Sequence, residues 1–217
     1  MEIRCYPYGP LQANSYMVLF GTDAIIIDPC VVLDAMELES IVIHGIFCTH
    51  GHFDHIYEAE RLRQRNQTVI LAHEKECSMM MTGDGTVPLS INIKVSVSPP
   101  ICQLKDGDVL RAQDFGFSMD SELEIRVIHT PGHTNGSICL LFTEKDSTHV
   151  QQVLFSGDTV LYETIGRTDL GGSMEDMLRS IKKLGLLPDD VTVYPGHGPS
   201  TTIGHEKRNN PYFTQFQ

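Results

Sequence analysis

Between Thr49 and His55 the chain reads Thr-His-Gly-His-Phe-Asp-His, which places three imidazoles and a carboxylate within seven residues. Neutral imidazole and carboxylate are nitrogen and oxygen donors suited to zinc, manganese or iron, so His50, His52, Asp54 and His55 read as half of a metal centre. Further donors stand elsewhere: His133 in Thr130-Pro131-Gly132-His133-Thr134, Asp158 in Phe155-Ser156-Gly157-Asp158-Thr159, and His197 in Tyr194-Pro195-Gly196-His197-Gly198. Each follows an apolar run and directly follows a glycine. Glycine opens backbone angles closed to other residues, so a chain leaving a strand can turn sharply and aim the next side chain at a common point. The expectation is that all these donors meet at one end of a sheet.

The elements that must bring them there are framed by composition. A chain of 217 residues with 41% hydrophobic residues can bury one sizeable core, so residues 1–217 are read as a single domain. Lys and Arg total 16 against 28 Asp and Glu, and the formal charge of -12 argues against broad attraction to nucleic acid or anionic membrane. No apolar stretch approaches the roughly 20 residues of a membrane span, and the opening Met1-Glu2-Ile3-Arg4-Cys5 lacks the basic start and apolar core of a signal peptide. The cytoplasm is therefore the expected compartment. The cysteines, at 5, 30, 48, 77, 102 and 139, form no CxxC pair and are expected as free thiols, Cys48 and Cys139 within buried strands. Oligomeric state leaves no signature in the sequence.

Residues 3–6, 15–20 and 24–28 read as an opening strand meander, 33–40 as a short helix and 41–48 as a strand rich in branched residues. A helix over 56–65, a strand over 69–72 and a helix over 73–81 follow, and 83–108 reads as a Pro-punctuated connection overhanging the site. Residues 123–129, 137–142 and 150–155 form a second meander. Ser173 caps a helix ending at Leu184, and 191–194 is the last strand, delivering His197. Strands followed by helices thus occur twice, which suggests two packed sheets with helices outside.

The order His50-x-His52-x-Asp54-His55, then His133, Asp158 and His197, resembles the metallo-β-lactamase fold family over nearly the whole chain. Within that family the chain is most similar to compact hydrolases related to glyoxalase II. Thr130-Pro131-Gly132-His133-Thr134, Gly157-Asp158, Ile165-Gly166-Arg167-Thr168-Asp169, Pro195-Gly196-His197-Gly198-Pro199 and Asn209-Asn210-Pro211-Tyr212 carry that likeness. The resemblance implies an α/β fold, a four-layer αββα sandwich, with two divalent metals at the sheet edge: zinc first, iron or manganese as alternatives. His50, His52 and His133 would hold one metal, Asp54, His55 and His197 the other, and Asp158 would bridge them. Open coordination positions then mark a catalytic rather than a structural centre.

The implied reaction is hydrolysis of a small-molecule thioester, a glutathione conjugate among the candidates, by a metal-bound hydroxide, with Asp54 and Asp158 as catalytic residues. Asp28 matches a family aspartate expected to hold a ligand histidine by a hydrogen bond. Arg167 matches a basic position that contacts the substrate carboxylate in glyoxalase II. Two neighbouring tyrosines of that family are replaced here by Asp169 and Pro199, and the short stretch after His197 implies a compact form without the helical C-terminal domain. A mononuclear iron dioxygenase acting on persulfides, with His50, His133 and Asp158 around iron, is the competing reading. Lactonase or β-lactamase activity and a non-catalytic binding protein are weaker rivals. His44, His73, His129, His149 and His205 lack such motifs and read as core or surface residues, and Met79, Met80 and Met81 as packing.

Overall fold

Long runs such as Ala13–Phe20 and 138–142 contain too little polarity for a strand with one wet face, and both are covered on two sides. The computed structural model describes residues 1–31, 41–84, 95–99, 101–116 and 122–216. One sheet contains, in spatial order, β1 (Glu2–Tyr8), β2 (Ala13–Phe20), β3 (Asp23–Ile27), β4 (Val42–Phe47), β5 (Val69–His73) and β6 (Cys102–Leu104). The other runs β12 (Thr201–Thr202), β11 (Thr192–Pro195), β10 (Val150–Gly157), β9 (Ile138–Lys145), β8 (Glu122–His129) and β7 (Val109–Arg111). Helices α1 (Phe53–Ile56), α2 (Ala59–Asn66) and α3 (Glu74–Thr82) belong to the first half, and α4 (Met174–Leu184), α5 (Ile203–Asn209) and α6 (Pro211–Thr214) to the second.

Strand alternation sorts the apolar side chains into three layers of core. Tyr16, Val18, Ile25, Ile27 and Phe47 of the first sheet meet Ile125, Val127, Leu140, Phe142 and Phe155 of the second. The opposite faces pack on helices, Met17, Ile26 and Ile46 against Ile56, Leu62 and Met80, and Cys139, Leu141 and Leu154 against Met177, Ile181 and Leu184. This is the αββα sandwich that the sequence led us to expect.

Several boundaries differ from the sequence reading. The helix expected over 56–65 starts later, as α2, and a separate turn of helix, α1, precedes it; between them Glu58 N turns away to donate to Pro29 O at 2.9 Å. The connection expected over 83–108 contains β6, whose three residues pair with β5 from Leu71↔Cys102 onward and are too few to leave a period in the sequence. The helix expected over 33–40 lies outside the described residues, as do 85–94 and 100 of the connection. The chain after His197 builds β12, α5 and α6, which the sequence reading did not anticipate.

The expected cap at Ser173 is present, its Oγ accepting from Asp176 N at 3.2 Å, with Glu175 and Asp176 in the first turn. Ser173→Ala should lower stability by about 1 kcal/mol. That corresponds to a fall of about 2–4 °C in Tm, read by thermal unfolding. An unchanged Tm would show that the first turn of α4 is held by its packing alone.

Candidate metal centre

Strand direction delivers the donors to one edge. β3 and β4 run parallel with Ile27 beside Phe47, so Asp28 and the Thr49–His50 turn emerge together. β10 and β11 run parallel with Gly157 beside Pro195, which sets Asp158 next to the Gly196-His197 turn. β8 and β10 both pair antiparallel with β9, so β8 points the same way and its end supplies His133 from the following turn. The two sheets are latched where Asn14 N donates to Gly196 O at 2.7 Å and Tyr16 OH to Pro195 O at 2.6 Å. Asn14 Nδ2 adds bonds to Pro195 O and Gly198 O at 3.0 and 2.9 Å.

Two of the glycines are demanded by space. Gly157 has φ +48°, and a Cβ there would overlap the Thr49 side chain. A Cβ on Gly196 would overlap Asp158 Oδ1 and approach His55 Cε1 to 2.7 Å.

The structure brings the seven sequence-derived donors together. The ligand atoms of His50, His52 and His133 lie within 4.8 Å of one another, and so do those of Asp54, His55 and His197. Asp158 lies between the two trios: Oδ1 is 3.5 Å from His55 Nε2, and Oδ2 is 3.5 Å from His133 Nε2 and 3.6 Å from His197 Nε2. Asp28 sits behind them, with Oδ2 3.0 Å from His55 Nδ1. It also forms a trio with His50 and His55 by the same distance measure. Arg167 is different. Its carbonyl faces His133 Nδ1 at 2.6 Å, while its exposed guanidinium pairs with both Asp169 oxygens at 2.6 Å.

Hydrogen bonds on the far side of the rings set their tautomers. His133 Nδ1 donates to Arg167 O, His197 Nδ1 to Leu11 O at 3.0 Å, and His55 Nδ1 to Asp28, so each leaves its Nε2 lone pair turned inward. Thr49 Oγ1 spends its proton on Asp28 Oδ2 at 2.7 Å and therefore accepts from His50 Nδ1 at 3.1 Å. His50 Nε2 also points inward as a result.

Without a cation the inward atoms either share a proton between neighbouring rings or go unpartnered. His52 Nδ1 and His133 Nε2 face each other at 2.8 Å, His55 Nε2 and His197 Nε2 at 3.3 Å, and His50 Nε2 and Asp158 Oδ1 are buried without a hydrogen-bond partner. A buried polar atom left unpartnered costs roughly 1–3 kcal/mol. Divalent cations among these nitrogen and oxygen donors would relieve that cost, and the donor set fits them.

The local electrostatics divide the rings. Burial, then repulsion from neighbouring imidazoles, holds His50 well below the usual histidine range and His52 down to about 4. For His55 burial acts the same way, but Asp158, Asp28 and Asp54 outweigh it and raise the ring to about 10, so a cation taking the inward Nε2 lone pair would have to displace a proton from it. Burial opposes ionisation of Asp54, yet the neighbouring His197 and His55 imidazoles bring it down to about 2.

Some functional neighbours escaped the sequence reading. Thr49 orients His50, Asn14 and Tyr16 grip the His197 turn, and the buried Glu76 carboxylate of α3 receives bonds from two ligand-bearing loops. Glu76 looks in sequence like an ordinary acid of a first helical turn. Only the tertiary approach of Gly51 and Gly136 reveals it.

Comparison with known proteins agrees with this geometry. The family model described as Metallo-beta-lactamase superfamily matches residues 8–197. The chain is 30% identical to "Probable metallo-hydrolase YqgX" of Bacillus subtilis (strain 168), covering 100% of this chain and 99% of that one. It is 29% identical to "Hydroxyacylglutathione hydrolase GloC" of Haemophilus influenzae, covering 98% of each. Among solved structures, BLEG-1 B3 metallo-beta-lactamase superposes with a TM-score of 0.82 at 31% identity, covering 98% of this chain and 100% of that one. TTHA1623 in a di-iron-bound form gives 0.77 at 30% identity, covering 96% and 99%.

Proposed function

Because this chain belongs to the metallo-beta-lactamase superfamily, we propose that it is a dinuclear metallo-hydrolase acting on a small-molecule thioester, of the kind a hydroxyacylglutathione hydrolase cleaves. The observation that carries the reading is the Asp158 carboxylate between two donor trios, Oδ2 about equally far from His133 of one and His197 of the other and Oδ1 facing His55. That arrangement supports two cations sharing one ligand. Zinc suits the nitrogen-rich set best, and iron is supported by the di-iron neighbour, with manganese as a further alternative.

Bound divalent cations supply a hydroxide near neutral pH and polarise an acyl carbonyl. The chain's own residues arrange for that chemistry. Asp54, kept ionised, lies with Oδ2 3.5 Å from His197 Nε2, where it can serve as ligand and orient an incoming water by accepting its hydrogen bond. Asp28 and the Leu11 and Arg167 carbonyls hold three imidazoles in their ligating tautomers. No thiol competes for the role of nucleophile nearby, since Cys30 is pushed up to about 11 by burial and spends its proton on Ala13 O. A thiolate leaving group departs with little need of protonation. Arg167 is the proposed contact for a substrate carboxylate, which would exchange places with Asp169. The partner is a small molecule, with no role proposed for nucleic acid or membrane. No described helix is long and apolar enough to cross a membrane, and the cytoplasm is the compartment we propose.

Elemental analysis of protein purified without added metal, paired with thiol release from S-lactoylglutathione, tests the reading. About two metals per chain with thiol release are expected. A single iron with oxygen uptake on glutathione persulfide would replace the reading with the dioxygenase. Turnover of β-lactams or lactones without thiol release would move the substrate class.

A further inference from the structure

Glu76 is a buried carboxylate with only 2% of its surface exposed, on the inner face of α3. Its oxygens receive bonds from two loops that are far apart in sequence. Gly51 N, between His50 and His52, donates to Oε2 at 2.8 Å. Gly136 N and Thr134 Oγ1, on the loop that follows His133, donate to Oε1 at 2.7 and 2.9 Å. A Cβ at Gly51 would come within 3.0 Å of Glu76 Oε2, and one at Gly136 would crowd Oε1 and Cγ, so both loops approach the carboxylate as only bare backbone can. The partners are neutral N–H and O–H donors, and three donors on two oxygens use a carboxylate as acceptor only.

We infer that Glu76 is a positioning residue for the His50, His52 and His133 trio, fixing the separation of its two loops and thereby the affinity of that trio for a divalent cation. The inference rests on the metal-binding reading above and deepens it. The Asp54, His55 and His197 trio lies outside this network, being held by Asp28 and the Leu11 carbonyl. Asp54 and His55 follow Gly51 on the same turn, but these separate supports make the affinity of their trio depend far less on Glu76. The physical lever is geometric: a slip of a few tenths of an ångström between the loops spoils three ligand directions at once, and groups that orient ligands from behind typically govern metal affinity by about 10- to 100-fold.

The experiment isolates each trio and reads zinc affinity by competition with a chromophoric chelator. In a His197→Ala background, where the trio in question is the intact one, Glu76→Gln should weaken zinc about tenfold or more. Gln keeps the shape but offers one acceptor oxygen and turns an NH2 toward an N–H donor. In a His52→Ala background the same change should leave the remaining affinity within about twofold. Equal weakening in both backgrounds, or none in the first, overturns the inference. A His197→Ala chain that binds no zinc with Glu76 intact overturns the metal assignment of the trio itself, which separates the two failures. Should Glu76→Gln not fold, Thr134→Val removes one donor of the three and should shift the same affinity about threefold in the same direction. Its having no effect there would equally overturn the inference.

Discussion

Asp158→Ala should reduce thioester turnover by about three orders of magnitude and remove at least one metal equivalent, a loss of about 4 kcal/mol in transition-state stabilisation. Asp158 has its oxygens facing imidazoles of both trios, at 3.5 Å from His55 and 3.5 Å from His133. Its removal subtracts a negative charge from the centre of five inward-facing rings and leaves neither trio able to share a ligand. Asp158→Asn retains the volume and one acceptor oxygen but not the charge, and should fall between the wild type and the Ala variant. Metal content by elemental analysis and initial rates of thiol release on the same samples provide the check. Full activity in Asp158→Ala would sink the dinuclear mechanism, whatever its metal content.

Asp28→Ala should be the most destabilising single change behind the centre. Its carboxylate accepts Thr49 N at 2.7 Å, Thr49 Oγ1 at 2.7 Å and His55 Nδ1 at 3.0 Å, and Ala would leave all three donors buried without an acceptor. At about 1–3 kcal/mol for each stranded donor, offset in part by water entering the space, a loss of roughly 3–6 kcal/mol follows. Asp28 also sits at φ +50°, a left-handed conformation that Asp and Asn tolerate and Ala resists by about 1 kcal/mol. Asp28→Asn keeps the backbone preference and should lose less stability, yet still weaken metal binding about 10- to 100-fold through misdirected His50 and His55 rings. Denaturant unfolding of the metal-free proteins separates the two effects. An Ala variant within about 1 kcal/mol of wild type would show that water replaces the carboxylate completely.

The donor set was legible because its logic is local: four donors crowd into residues 50–55, His133, Asp158 and His197 each follow an apolar run and a glycine, and strand direction then does the rest at Gly157, Gly196 and the turn after Phe47. The layers were legible for a similar reason, since runs such as Ile25-Ile26-Ile27 require burial on both faces. What escaped was decided by distant neighbours. The interruption between α1 and α2 falls where Glu58 N meets the Pro29 carbonyl, and β6 exists because β5 offers it an edge. Asn210 illustrates the same limit. Its sequence context resembles a family ending, but its work is tertiary, Nδ2 donating to Thr164 O at 2.9 Å and to Glu206 at 2.7 Å while Oδ1 caps α6. Arg167 showed the opposite lesson, since the sequence directed attention to its guanidinium while its carbonyl is the atom that touches the centre.

The latch between Tyr16 and Pro195 joins residues 179 positions apart, and the His55 and His197 rings meet across 142. Non-local closure of this kind makes folding slow, because the entropy of a long loop is lost before its contacts form. On a ribosome adding about 5–20 residues per second, the His50–His55 turn emerges on the order of ten seconds before its last partner. For that interval the nascent chain displays an incomplete set of donors, and the set is whole only once His197 has emerged.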